Sequence, residues 1–275
     1  MIIDIRCRPP IEEVVRAVKK RTPLKSYFDM GLGIEPESFA QRSVELLLKE
    51  MDEAGVSKAV FIGRIRKGFE VPNDAIADIV EKYPDRFIGV GGIDVWKEYH
   101  EPMSEIERCI KHLKFKGISI EPGGLGKPMH FNDPRLYPIY AKCGELGVPV
   151  FITTGPKQGP GLDFTRPEHI EPVANEFSDL KIMMIHGCYP YIMEMIGVAL
   201  RCPNVFFSSD IYTFWPGGKM YIEAAESKLD NKMIFGSAYP ISPVKESVEA
   251  FKSFSMKPEV LEKIFSGNAA KLISL

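Results

Sequence analysis

Residues 145–155 read ELGVPVFITTG: the end of a helix, a glycine that stops it, then an apolar, β-branched run closing on two threonines. The same order of residue types recurs at 53–63 (EAGVSKAVFIG), 82–92 (KYPDRFIGVGG) and 201–209 (RCPNVFFSS). These stretches resemble one another because each turns a helix into a strand; they are not true repeats. Working outward from them, strands are expected over 1–6, 58–64, 86–93, 116–120, 148–154, 181–186, 204–208 and 232–237. Amphipathic helices are expected between them at 43–54, 73–82, 104–113, 134–146, 189–201 and 218–229. In the first of these, Leu46, Leu47, Glu50, Met51 and Ala54 carry the helical period and Gly55 ends it. Alternating strands and helices imply a parallel sheet, and eight such units imply closure, which leaves no sheet edge. The expected fold is α/β, a (β/α)8 TIM barrel in one domain over 1–275, finished by helices at 258–265 and 268–273.

Composition is that of a globular chain with a sizeable core: 275 residues, 45% hydrophobic and 26% charged. A formal net charge of −2 and the lack of a basic stripe argue against nucleic acid or an anionic membrane as partner. MIIDIRCRPP mixes acid and base too early for a signal peptide, and no apolar run approaches membrane-spanning length. Cys7, Cys109, Cys143, Cys188 and Cys202 are odd in number and widely spaced, so a reduced, cytoplasmic chain is expected.

The longest stretch with neither strand nor clear helix, 21–41, follows the first strand on the face where barrel enzymes keep their loops. It reads equally as a surface excursion, or as a lid or subunit contact in a homodimer. A second loop, 155–166, is rich in glycine and proline.

Polar residues at the C-terminal ends of barrel strands are the default site candidates. Those ends carry Arg6, Arg8, Arg64, Glu121, Thr153, His186, Asp210 and the pair Ala238/Tyr239. Arg6 and Arg8, two apart on extended chain, point the same way with Cys7 opposite. They are either structural, paired with Asp4 or Glu121, or a clamp for a substrate carboxylate. Arg64 reinforces that clamp or is solvated beside Arg66 and Lys67. His186 ends an apolar strand and is either a hydrogen-bonded structural histidine or the general acid or base. Asp210 orients His186, acts as a base, or anchors a loop. Tyr212 and Tyr239 are candidates to line a pocket. His100 and His112 fall near surface helices, and His130 and His169 in loops, with His130 within possible reach of the site. A Cys188–His186 nucleophile pair is a minor alternative.

The order and spacing of several segments resemble the amidohydrolase-related proteins of the "amidohydrolase 2" group, which includes decarboxylases, hydratases and lactone hydrolases. IIDIRCRPP (2–10) stands where that family opens with I-D-x-H-x-H. FKGISIEPG (115–123) is similar to its fourth-strand signature, and 133–155 to the helix and fifth strand that follow. IHGCYPY (185–191) resembles the sixth-strand H-x-G, FGSAYP (235–240) the eighth-strand G-S-D-x-P, and GNAAKLISL (267–275) the closing helix. Against that pattern the histidine pair is Arg6 and Arg8, the fifth-strand histidine is Thr153, and the eighth-strand aspartate is Ala238. Only the sixth-strand histidine is kept, as His186. A catalytic zinc takes about three ligands from His, Cys, Asp or Glu, and arginine offers none. The expectation is therefore no metal cofactor, with one zinc at His186 as the alternative. Two guanidinium groups would stand in place of the cation.

The function expected first is a metal-independent hydrolase of a small, carboxylate-bearing, lactone-like substrate. In it Arg6, Arg8 and Arg64 bind oxyanions while His186 with Asp210 moves the proton. The alternatives are a decarboxylase or other lyase of the same family, or a catalytically silent carboxylate-binding barrel.

Overall fold

The chain is described here from a computed structural model. It covers all residues except 22, 66, 67, 125 and 126, and of Arg21 the backbone alone. The β-branched runs become seven parallel strands: β1 Ile2–Cys7, β2 Val56–Ile62, β3 Phe87–Gly92, β4 Ile118–Ile120, β5 Val150–Thr153, β6 Ile182–Ile185 and β7 Val205–Ser208. They pair in chain order, with helices packed outside, as a nearly closed barrel of the TIM type. The helices sit where the apolar period placed them. Ser43 caps Val44–Ala54 by accepting the Leu46 N–H at 3.1 Å, and Gly55 ends it at φ +71°.

The eighth strand expected at 232–237 is a correction. The segment lies between β7 and β1 and exchanges hydrogen bonds with both, from Ile234 N–H to the Phe207 carbonyl and from Ile5 N–H to the Phe235 carbonyl. It forms no regular ladder because its own donors are used elsewhere. Phe235 N–H bonds the Ile264 carbonyl, and Ser237 N–H bonds the Asp4 carboxylate. The stretch 21–41 is also not one loop, since it holds short helices at Leu24–Phe28 and Glu37–Gln41.

Alternate strand residues divide the interior in two. Cys7, Phe61, Ile152, Met184 and Phe207 pack against the surrounding helices. Ile3, Ile5, Val60, Phe151, Met183 and Phe206 form a second cluster whose helical members, among the described residues, all come from Asn268–Ile273. That cluster is therefore the barrel's filling, and the last helix plugs its lower end. The opposite end, where the strands' C-termini lie, carries the polar residues.

Candidate active site

The strand ends meet at a cavity of about 220 Å³. Arg8, Arg64, Thr153, His186 and Tyr212 line it. Arg6, Glu121 and Asp210 are buried at the same end of the barrel. Arg6 feels the charges of Asp210, Arg64 and Glu121, so the groups form one electrostatic unit. Burial lowers the Arg6 guanidinium from its ordinary value, Asp210 opposing. Burial, with Arg6 and Arg64 adding to it, holds Arg8 well below its ordinary value. The Arg64–Glu121 ion pair is 2.6 Å long. Arg8 and Arg64 both lie over the Phe69 ring, at 4.8 and 4.5 Å from its centroid. Arg66 and Lys67 fall outside the described residues.

His186 Nδ1 contacts Asp210 Oδ2 at 2.7 Å, off the line of a straight hydrogen bond. This leaves Nε2 as the ring nitrogen that Asp210 does not engage. Burial lowers the imidazole's pKa; Asp210 pulls it up, and Arg6 and Arg8 push it further down. His186, Asp210 and Ala238 all have left-handed backbone, at φ +71°, +38° and +59°. Such turns, at about 1–3 kcal/mol each, aim side chains that a continuing strand would not.

Tyr239 lies apart from this group. It is fully buried, its hydroxyl 2.6 Å from Ser38 Oγ, and it is not among the cavity's lining. Cys188 is buried too, its thiol pushed up by burial, the opposite of what a nucleophile needs. His130 sits with Asp163 and His169 and does not line the cavity. The lining also includes Tyr27, Met30, Lys157 and Gln158, none of them singled out from the sequence. Their only signal was the pair of long loops, 21–41 and 155–166.

A parallel barrel with a cationic cavity and a His–Asp pair at its C-terminal mouth is a barrel of the TIM class. The chain belongs to the amidohydrolase family whose model matches residues 30–275. It is 28% identical to 2-amino-3-carboxymuconate-6-semialdehyde decarboxylase of Dictyostelium discoideum, over 74% of this chain and 65% of that protein. It is 29% identical to 2-keto-4-carboxy-3-hexenedioate hydratase of a Sphingobium strain, over 60% of this chain and 56% of that protein. The match thus spans under two thirds of either relative's length. Among solved structures, an uncharacterized TIM-barrel protein from Bordetella bronchiseptica is 38% identical with a TM-score of 0.92, covering 99% of this chain and 98% of its own.

The expectation of no metal cofactor is corrected by a neighbour of the same fold. A dihydroxybenzoic acid decarboxylase from Polaromonas, 18% identical with a TM-score of 0.73 over 100% of this chain and 97% of its own, carries bound manganese. Absence of a metal is therefore no longer expected of this chain. The mouth itself offers few donors: Arg6, Arg8 and Ala238 give none and Glu121 is paired with Arg64, which leaves His186, through Nε2, and Asp210. Among the described residues, no three His, Cys, Asp or Glu ligand atoms converge there. The described residues at the mouth do not fit a metal by themselves.

Proposed function

We propose that the chain is a lyase that removes carbon dioxide from a small, conjugated carboxylic acid. The observation that carries this is an excess of buried positive charge at the mouth. Three guanidinium groups, Arg6, Arg8 and Arg64, face two carboxylates, Asp210 and Glu121, and the Nε of each arginine is buried with no hydrogen-bond partner. Buried donors of that kind are costly unless something fills them. A substrate anion in the cavity supplies both the missing charge and the missing acceptors.

In the reaction the bond from carbon to the departing carboxylate breaks and its electron pair stays on the substrate. The pair spreads onto a conjugated oxygen held by Arg8 and Arg64. Carbon dioxide leaves, and protonated His186 returns a proton to the carbon from Nε2 while Asp210 steadies the imidazolium through Nδ1. Hydrolysis of a lactone-like ester, the first expectation, is favoured less, because the relatives named above are a decarboxylase and a hydratase. The hydratase supports a second reading, addition of water across a conjugated double bond with His186 as base.

The test is a panel of hydroxybenzoic and unsaturated dicarboxylic acids, with and without added manganese, followed by ultraviolet absorbance and carbon dioxide release together. Carbon dioxide in step with the absorbance change is expected. In Arg8→Met, kcat/KM should fall about 10- to 100-fold, the size of a lost charge-assisted contact. The same change should raise Tm, because it relieves a buried cation crowded by Arg6 and Arg64. Absorbance change without carbon dioxide would replace decarboxylation by hydration. Ligand-induced stabilisation with no turnover would make the barrel a binding protein.

A further inference from the structure

We propose that His130, Asp163 and His169 form a binding site for one divalent transition cation, distinct from the cavity, that ties the segment after β4 to the segment after β5. Their ligand atoms all lie within 4.8 Å of one another. His130 Nε2 is 3.2 Å from Asp163 Oδ2, and His169 Nε2 is 3.5 Å from Asp163 Oδ1. Two ligands on a zinc with bonds near 2.0–2.1 Å stand roughly 3.3–3.4 Å apart, so both spacings suit an ion that the Asp163 carboxylate holds through its two oxygens. A plain hydrogen-bonded cluster explains the geometry less well. His169 Nε2 makes no hydrogen bond to Asp163 despite its nearness, and it is a buried atom without a partner.

The rings are held in place before any ion arrives. His130 stacks on Phe164 with centroids 4.5 Å apart and planes 2° from parallel. The His130 and His169 rings are 4.3 Å apart. Arg166 competes for Asp163, its Nε 3.5 Å from Oδ1, but it also pairs with Glu168 at 3.2 Å.

Two imidazoles and one carboxylate select Zn(II), Co(II), Ni(II) or Cu(II) over magnesium or calcium, which prefer all-oxygen sites. Asp163 is 56% exposed and His130 35%, which leaves room for water to complete the shell. The site stands beside the cavity wall. A Cβ on Gly123 would lie 3.3 Å from the Cβ atoms of both Gln158 and Phe164, so the two segments already pack closely, and Gln158 lines the cavity.

The experiment is zinc titration of the dialysed 275-residue chain, read by calorimetry and by metal content after gel filtration, with the absorption spectrum of the cobalt form as a second readout. The unaltered chain should bind one equivalent at this site and gain Tm with zinc. His130→Ala and Asp163→Asn, both at partly exposed positions and checked for folding by circular dichroism, should each lose that equivalent and the cobalt bands. His186→Ala should keep them. Failure of the unaltered chain to bind zinc, or unchanged affinity in both variants, would overturn the proposal. So would a single equivalent that vanishes in His186→Ala and persists in His130→Ala. Metal stoichiometry is read without turnover, so failure of the lyase reading leaves this test intact.

Discussion

At the scale of single residues, His186 carries the sharpest consequence. Burial lowers its pKa and the Arg6 and Arg8 guanidiniums lower it further, against the pull of Asp210. A substrate carboxylate bound among those guanidiniums cancels part of their field, so the imidazole's pKa must rise when the complex forms. As a general acid His186 works only when protonated, and activity should fall as pH rises through its pKa. The fall in kcat, which reports the complex, should therefore lie at higher pH than the fall in kcat/KM, which reports the free enzyme. A separation on the order of one unit corresponds to about 1.4 kcal/mol of coupling. Coincident limbs would remove the arginines from the substrate, and a kcat that rises with pH would make His186 the base of a hydration. His186→Gln should cost about 10²- to 10⁴-fold in kcat. The strand-end rule names Arg6, Arg8, Arg64, Thr153 and His186 because each stands at or just past the end of a strand, and the structure buries all five there, with Arg6 behind the cavity's lining. It did not place Tyr239 correctly at the cavity, since the left-handed turn at Ala238 redirects the chain and sends that side chain to Ser38. Lys157 and Gln158 were illegible because loop residues carry no period.

Among elements, the irregular segment between β7 and β1 depends on one carboxylate. Asp4 Oδ1 accepts the N–H groups of Arg6 and Ser237, both at 3.0 Å, and Oδ2 accepts the Ser237 hydroxyl. Apolar periodicity marked 232–237 as a strand, but it cannot register that a side chain on β1 has taken one of the donors a ladder needs. Burial raises the Asp4 pKa from 3.8 to about 6, more than its hydrogen bonds lower it. The folded chain thus holds a proton there that the unfolded chain has released. The stability this gives is full below 3.8 and is lost as pH rises through about 6. Its size is roughly 3 kcal/mol, at about 1.4 kcal/mol per unit. Asparagine cannot titrate. Urea unfolding of the unaltered chain and of Asp4→Asn, at about pH 4 and about pH 7.5, should show the difference between them shifting by roughly 2.5 kcal/mol in favour of the unaltered chain at the lower pH. A difference independent of pH would mean that Asp4 titrates as it does in the unfolded chain.

For the molecule as a whole, the question is how a barrel open at one end excludes water from a proton transfer. The stretch 21–41 read equally as a surface excursion or as a lid, because its composition shows no face. Packing supplies what periodicity lacked. Tyr27 and Met30 line the cavity, Trp215 Nε1 donates to the Met30 carbonyl at 2.9 Å, and Lys157 Nζ lies 2.7 Å from Met30 Sδ. Phe28 packs edge-on to Phe39, their centroids 5.6 Å apart, which braces the stretch from behind. The closest approach is at Gly31, where a Cβ would lie 2.5 Å from the Ile241 carbonyl oxygen and collide with Ser242 Oγ. A backbone oxygen cannot swing aside as a flexible side chain does, so Gly31→Ala must lift the stretch from the mouth. A displacement of about 1 Å at a site of this kind costs on the order of 10²-fold in rate. The barrel below, whose core does not include Gly31, should lose little stability. The expected result is a large drop in kcat/KM, a Tm change of only a few degrees at about 2–4 °C per kcal/mol, and new proteolytic cleavage within 21–41. If Gly31→Ala leaves turnover unchanged, the stretch is a surface excursion, and water must be kept from His186 by the cavity walls alone.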